Sequence, residues 1–343
     1  MSTLSEQRND EIDLIELIKV LWDKKVRILI STFLFTAIAG VYAFTAKEQW
    51  TSKAEVIAPT QVDVGRYANV KLRFAQIANQ QDVTFDSIAE GLYSQFERLI
   101  FSQNERRDFF IQSDEYKRLI AGLDENAQRK VLSNLSIEYT AIVRPDPKKN
   151  QDMFGNRISF SSETPLSAQQ TLSEFISFVN KKAFNLDKSS FQFQIAQKIE
   201  ALETEKEEIE TTLSAKKDLN ISSINNIQSQ ATSRNNSAVG QNQSTQPLDA
   251  AAELLIYGDD YARLQLRLID SHLKQLNALQ EEVKSLEGQA FSYQASPDYP
   301  VAKDKPKRLF ILLGGAISGG LLSILVLIIG YLFKQNRRLE NKG

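Results

Sequence analysis

The sequence has no cysteine, which excludes disulfide frameworks and thiolate metal sites. The lack is compatible with an oxidising compartment without requiring one. Histidine occurs once, as His272 among charged residues of an expected helix. Metal centres and catalytic triads need partners that are missing around it, so a solvated helix surface is expected there. Neither sign of charge is in excess: 41 Lys plus Arg face 43 Asp plus Glu, for a net charge of −2. That balance argues against nucleic acid or a strongly anionic partner. Carboxylates are plentiful but fall in runs on helix faces, not as pairs on loops. The glycine-rich stretch Gly314–Gly320 lacks the Lys and Ser/Thr that would follow in a phosphate loop, and it lies inside an apolar run. No catalytic, cofactor-binding or metal-ligating residue is assigned, and an enzyme is not expected.

Two long apolar runs are present. Leu309–Phe333 has no charge along its length, about 37 Å as a helix, enough to cross a hydrocarbon core of about 30 Å with some tilt. Ile28–Ala46 is also uncharged and spans about 28 Å. A cleaved signal peptide would not carry the mixed arm before it, with Asp10, Glu11, Asp13, Glu16, Lys24 and Lys25, and the run exits past Phe44 without a small-x-small site. Both runs are therefore expected to stay as spans, which puts the two tails on one side. Arg8, Lys19, Lys24, Lys25 and Arg27 in one tail, with Lys334, Arg337, Arg338 and Lys342 in the other, make that side the cytoplasm. Lys303, Lys305, Lys307 and Arg308 lie on the outer side, where long translocated loops tolerate charge.

Gly315 and Gly319 form a G-x-x-x-G, repeated one step on by Ala316 and Gly320, with Gly314 adjacent. Small residues four apart let helices approach closely in lipid. Thr36 with Gly40 and Ala39 with Ala43 offer a counterpart in the first span. Leucine at both Gly315 and Gly319 is expected to be disruptive, and alanine at both much milder.

Between the spans the reading is an α+β exported domain with a long helical hairpin, anchored by two transmembrane helices. The boundaries are a tail 1–27, a span 28–46, an α+β base 47–186, a hairpin 187–295, a strut 296–308, a span 309–333 and a tail 334–343. Ser52–Ala58, Ser136–Val143 and Arg157–Ser162 alternate as strands do, and Pro59 and Pro145 close two of them. Helices are expected over Tyr67–Asn79, Phe85–Phe101 and Glu105–Gly122. Thr164 and Pro165 open another, with an apolar face of Leu172, Phe175, Ile176 and Val179. In the hairpin, Ile195, Ile199, Leu202, Ile209 and Leu213 fall on a narrow seam that Lys206 interrupts, answered by Leu266, Ile269, Leu273, Leu276 and Val283. The stretch 220–247 is rich in Asn, Ser and Gln and reads as a mobile tip loop. Pro297, Pro300 and Pro306 suggest a stiff polyproline strut.

At both ends the residues resemble a known family. The run 11–18 with Asp13 and Leu14, then Leu21, Trp22, Lys24 and Lys25 before a span, resembles the start of the Wzz chain-length determinants, or polysaccharide co-polymerases. Trp50, Ser52 and Ala54 followed by Pro59 resemble their first exported strand. Pro300, Pro306, Lys307 and Arg308 before Leu312–Gly315 resemble their second span. Arg157–Phe160 with Ala168, Gln169, Phe175, Ile176, Val179 and Asn180 resembles their mid-chain element. Lys303 departs from the pattern where a further proline often stands. The resemblance implies a Gram-negative inner-membrane protein of the kinase-free kind, its base and hairpin periplasmic. It also implies a non-enzymatic regulator of the modal length of a surface polysaccharide, most often lipopolysaccharide O-antigen. Its expected partners are a ring-like homo-oligomer, a Wzy-type polymerase, lipid-linked polysaccharide and membrane lipid. The competing class is a membrane-anchored coiled-coil adaptor of a secretion or efflux system, which typically has one anchor.

Overall fold

A computed structural model describes residue 19 and residues 21–234 and 246–340. The first apolar run forms helix α1 (Lys25–Thr45). The chain then enters strand β1 (Trp50–Ile57), closed by buried Pro59. Short helices follow: α2 (Gln61–Val64), α3 (Arg66–Ile77), α4 (Phe85–Ile100), α5 (Gln103–Gln112), α6 (Asp114–Ile120) and α7 (Glu125–Ser133). A π-turn over Asn134–Glu138 leads into β2 (Thr140–Val143), and β3 (Asn156–Ser162) precedes the long helix α8 (Pro165–Arg234). Helix α9 (Gln246–Lys284) returns, β4 (Ser292–Ala295) completes the sheet, and α10 (Arg308–Glu340) carries the second apolar run.

The sheet is antiparallel throughout, in the order β2-β3-β1-β4. Trp50 pairs with Ser162 and Val56 with Asn156, so first and last described strands flank the chain's exit from one span and its return to the other. Alternation works as expected here. Ala54 and Val56 of β1 and Ile158 and Phe160 of β3 are buried against α8, where Leu172, Phe175, Ile176 and Val179 form the inward face. Phe110 fills the space between them, with its ring 5.5 Å from that of Phe160. Thr164 starts α8, its hydroxyl accepting from Ser167 N at 3.2 Å.

Several boundaries differ from expectation, each for a local reason. The helix expected over Glu105–Gly122 is broken at Ser113, whose hydroxyl caps α6 by accepting from Tyr116 N. Leu135 and Ser136 belong to the π-turn, where Tyr139 N reaches Asn134 O, so β2 starts only at Thr140. No break falls at 186–187: α8 crosses it unbroken and is about 105 Å long. Polar residues continue the helix into the expected tip loop through Arg234, and α9 begins at Gln246, because elongating a nucleated helix costs little per residue. Within 220–247, residues 235–245 lie outside the described residues. The hairpin's return arm ends at Lys284, eleven residues short of expectation, and gives way to β4.

Candidate functional site

The two spans pack against each other along the glycines. A β-carbon on Gly315 would lie 2.6 Å from Ala39 Cβ and 3.2 Å from Phe35 O. One on Gly319 would lie 2.8 Å from Phe35 Cβ and 3.1 Å from Thr32 Cα. These are backbone-to-backbone approaches that only glycine permits, and they join α10 to α1 of the same chain. An added methyl would already require the helices to shift at both positions, and a leucine side chain would require more. A β-carbon added at Gly40 or Gly320 would make only ordinary contact, 3.5 Å from Leu312 Cδ2 and 3.6 Å from Thr32 Oγ1, while one at Gly314 would have nothing within 4 Å. Gly314 is therefore not a packing glycine in this pair, because it lies off the face that meets α1. The opposite faces of both helices are apolar and exposed: Leu29, Phe33, Leu309 and Leu321 are each more than 60% accessible. Such a surface fits lipid and not water, and the helices are too exposed to be core helices of a soluble domain.

Just beyond the spans lies a strap of hydrogen bonds. Glu48 Oε1 accepts from Lys303 Nζ at 2.6 Å and from Arg308 Nη2 at 3.1 Å. The Arg308 guanidinium also sits 4.7 Å from the centre of the Phe44 ring. The hydrogen bond from Lys303 holds the Glu48 carboxyl below the ordinary range, with help from the Lys303 and Arg308 charges and the Trp50 side chain against the cost of desolvation. Backbone bonds continue the strap: Gln49 N donates to Lys305 O, Asp304 N to Gln49 O, and Asp298 N to Lys53 O. Ser52 Oγ donates to Asp298 O at 2.7 Å, and Gln169 Nε2 to Pro297 O at 2.9 Å. The stretch 296–308 is thus a strap bound along β1 and α8, held chiefly by backbone pairing with Gln49 and Lys53. Pro300 is buried, Pro306 half-buried, and Lys307 exposed.

Polar networks hold the base beneath the hairpin. Buried Glu115 accepts from Ser162 Oγ and Ser167 Oγ at 2.7 Å each and from Arg118 at 2.9 Å, tying α6 to β3 and α8. Arg118 also bridges to Glu163, which Lys47 holds at 2.6 Å. A cavity of about 280 Å³ opens beside this network, lined by Leu119, Val131, Tyr139 and Ser161 among others. Tyr67 donates to Asp187 Oδ2 at 2.5 Å; burial, and then the Asp187 charge, push its hydroxyl far above the usual range. These carboxylates are all matched by donors, so they serve as joints and not as acids poised for reaction. Among the described residues no group of three or more metal-ligating side chains occurs.

In the hairpin, burial fades along the seam. Ile195 and Leu276 are fully buried near the root, whereas Leu213 and Leu266 are half-exposed. Lys206, the interruption in the seam, meets Asp270 of the return arm at 2.8 Å. His272 is half-buried on the surface of α9, lining an open groove with Arg73 and Gln275 where α3 packs against α9. Asp13 and Leu14 lie outside the described residues. Trp22 is exposed with Lys25 Nζ 5.1 Å from its ring centre. Glu48 was missed by sequence reasoning, although it is the first acid after one span and faces the bases before the other.

With this geometry established, similarity to known proteins becomes informative. Residues 10–113 match the Wzz family, chain length determinant protein. An uncharacterised Haemophilus influenzae protein is 30% identical over 205 residues, which cover 54% of this chain and 99% of that one. The ECA polysaccharide chain length modulation protein of Escherichia coli is 23% identical over 333 residues, 93% of this chain and 94% of the relative. Among solved structures, a full-length bacterial polysaccharide co-polymerase shares the fold, with a TM-score of 0.59 and 20% identity over 94% of this chain and 99% of that one. The chain belongs to the Wzz chain length determinant family.

Proposed function

We propose that the chain sets the modal length of a surface polysaccharide such as O-antigen, without itself forming glycosidic bonds. It acts as an oligomeric scaffold beside a Wzy-type polymerase, in contact with lipid-linked polysaccharide. The observation that carries this reading is family membership combined with an architecture that spends its polar residues on joints. In this reading the base and hairpin are periplasmic, the termini cytoplasmic and the membrane the Gram-negative inner membrane. A ring of copies supplies the length measure, and helices of about 100 Å provide a surface on that scale. The adaptor alternative shares the hairpin but expects one anchor, where this chain has two.

Deletion of the gene, followed by gel analysis of surface polymers, tests the proposal. The expected result is continued synthesis with a broadened length distribution. Probing O-antigen and the ECA polysaccharide separately identifies the polymer. Loss of all polymer, or an unchanged ladder for both, would overturn the reading.

A further inference from the structure

The strap leaves two cations unmatched at the membrane surface. Of the bases around the outer ends of the spans, Lys303 and Arg308 share Glu48, and Lys47 is held by Glu163. Lys305 and Lys307 are exposed and have no ion-pair partner among the described residues. The carboxylates near them are Glu48, already doubly engaged, Asp298, which accepts from Lys53 N, and exposed Asp304. Set against Glu48 and Asp304, the four bases of 303–308 leave a positive excess that the whole-chain charge conceals.

Depth is fixed by the sequence that follows. Leu309 and Phe310, both more than 60% accessible, are the first lipid-facing residues of α10, two to five residues beyond the lysines. Lysines within five residues of the apolar boundary reach the phosphate layer of a bilayer with their flexible stems. The backbone ladder between Gln49 and the strap holds them there, so little ordering remains to be done on binding.

We propose that Lys305 and Lys307 form a docking point for the phosphate of an anionic phospholipid, which sets the height of the domain above the bilayer. The lysines act as paired point charges on one headgroup, while the Glu48 clamp keeps Lys303 and Arg308 out of the contact. The inference requires both spans to lie in a bilayer and is independent of the polymer-length reading.

Native mass spectrometry of the full-length protein, released from detergent in the presence of phosphatidylglycerol or phosphatidylcholine, tests it. The parent should retain phosphatidylglycerol about tenfold more than phosphatidylcholine, given two nearby lysines and partial screening. Lys305→Gln with Lys307→Gln should lose that preference. Lys305→Arg with Lys307→Arg should keep it, as should the charge-matched control Lys274→Gln with Lys284→Gln on the hairpin. Equal preference in parent and Gln variant would overturn the proposal. So would displacement of the lipid by millimolar inorganic phosphate, or by a polyprenyl-pyrophosphate glycan in preference to phosphatidylglycerol, since either makes the site one for another anion.

Discussion

At Gly315 and Gly319 the spans meet so closely that a single methyl group lacks room against Ala39 and Phe35. Leucine inserts well into lipid, so variants should reach the membrane and fail only in packing. The absence of cysteine provides a clean readout, because Thr32→Cys with Gly320→Cys supplies the only two thiols of the chain, and the intrachain bond is separated from one between copies by mass on a non-reducing gel. Oxidation should be fast in the parent background, slower with Gly315→Ala, and nearly lost with Gly315→Leu. Unchanged oxidation with Gly315→Leu would show that the contact is not made. Glu48 offers a second residue-scale test. Its folded pKa is depressed, so its contribution to the strap is present above the ordinary value of 4.5 and is lost as pH falls through the folded value. Limited proteolysis across 296–308 should therefore accelerate in the parent only below about pH 4.5, as a depressed carboxylate requires. Glu48→Gln should be sensitive at neutral pH as well, and equal cleavage of both at every pH would remove the carboxylate from the strap.

Helices α8 and α9 form an arm that is tight at its root and loose beyond it. Leu276→Ala deletes a fully buried side chain and should cost about 2–5 kcal/mol. Leu213→Ala, at a half-exposed position, should cost less than about 1 kcal/mol by the same scaling. Unfolding midpoints of the two variants check the gradient, and equal shifts would contradict it. The seam residues were legible because periodicity reports which face is apolar. Where each helix stops was less so: polar residues from Asn220 onward say that no core is buried, which differs from saying that no helix forms. Strand β4 was hidden for the opposite reason, being four residues long, mostly exposed and recruited by pairing with Val56 and Ile57. The glycine contact was legible in kind from G-x-x-x-G, and its counterpart near Ala39 from the small residues of the first span, but the outward turn of Gly314 required the relative rotation of two helices. The Glu48 clamp joins residues more than 250 positions apart, a separation no local pattern reports.

For the whole molecule, the sheet brings the exit from one span and the approach to the other together, so the base rests on both anchors at once. A periplasmic reporter inserted near Gly240 should be active and one fused after Gly343 inactive, as the basic tails require. The reverse pattern would invert the arrangement. The central claim, that this chain measures a polymer made by another protein, is tested most directly by reconstitution. A purified Wzy-type polymerase with lipid-linked repeat units would be assayed in vesicles with and without this protein, counting both repeats incorporated and product lengths. The account predicts that the protein alone forms no polymer, and that the polymerase alone gives a broad distribution. Together they should collapse the lengths around a mode at similar total incorporation. Polymer formed without the polymerase, or a length distribution that the protein leaves unchanged, would contradict it.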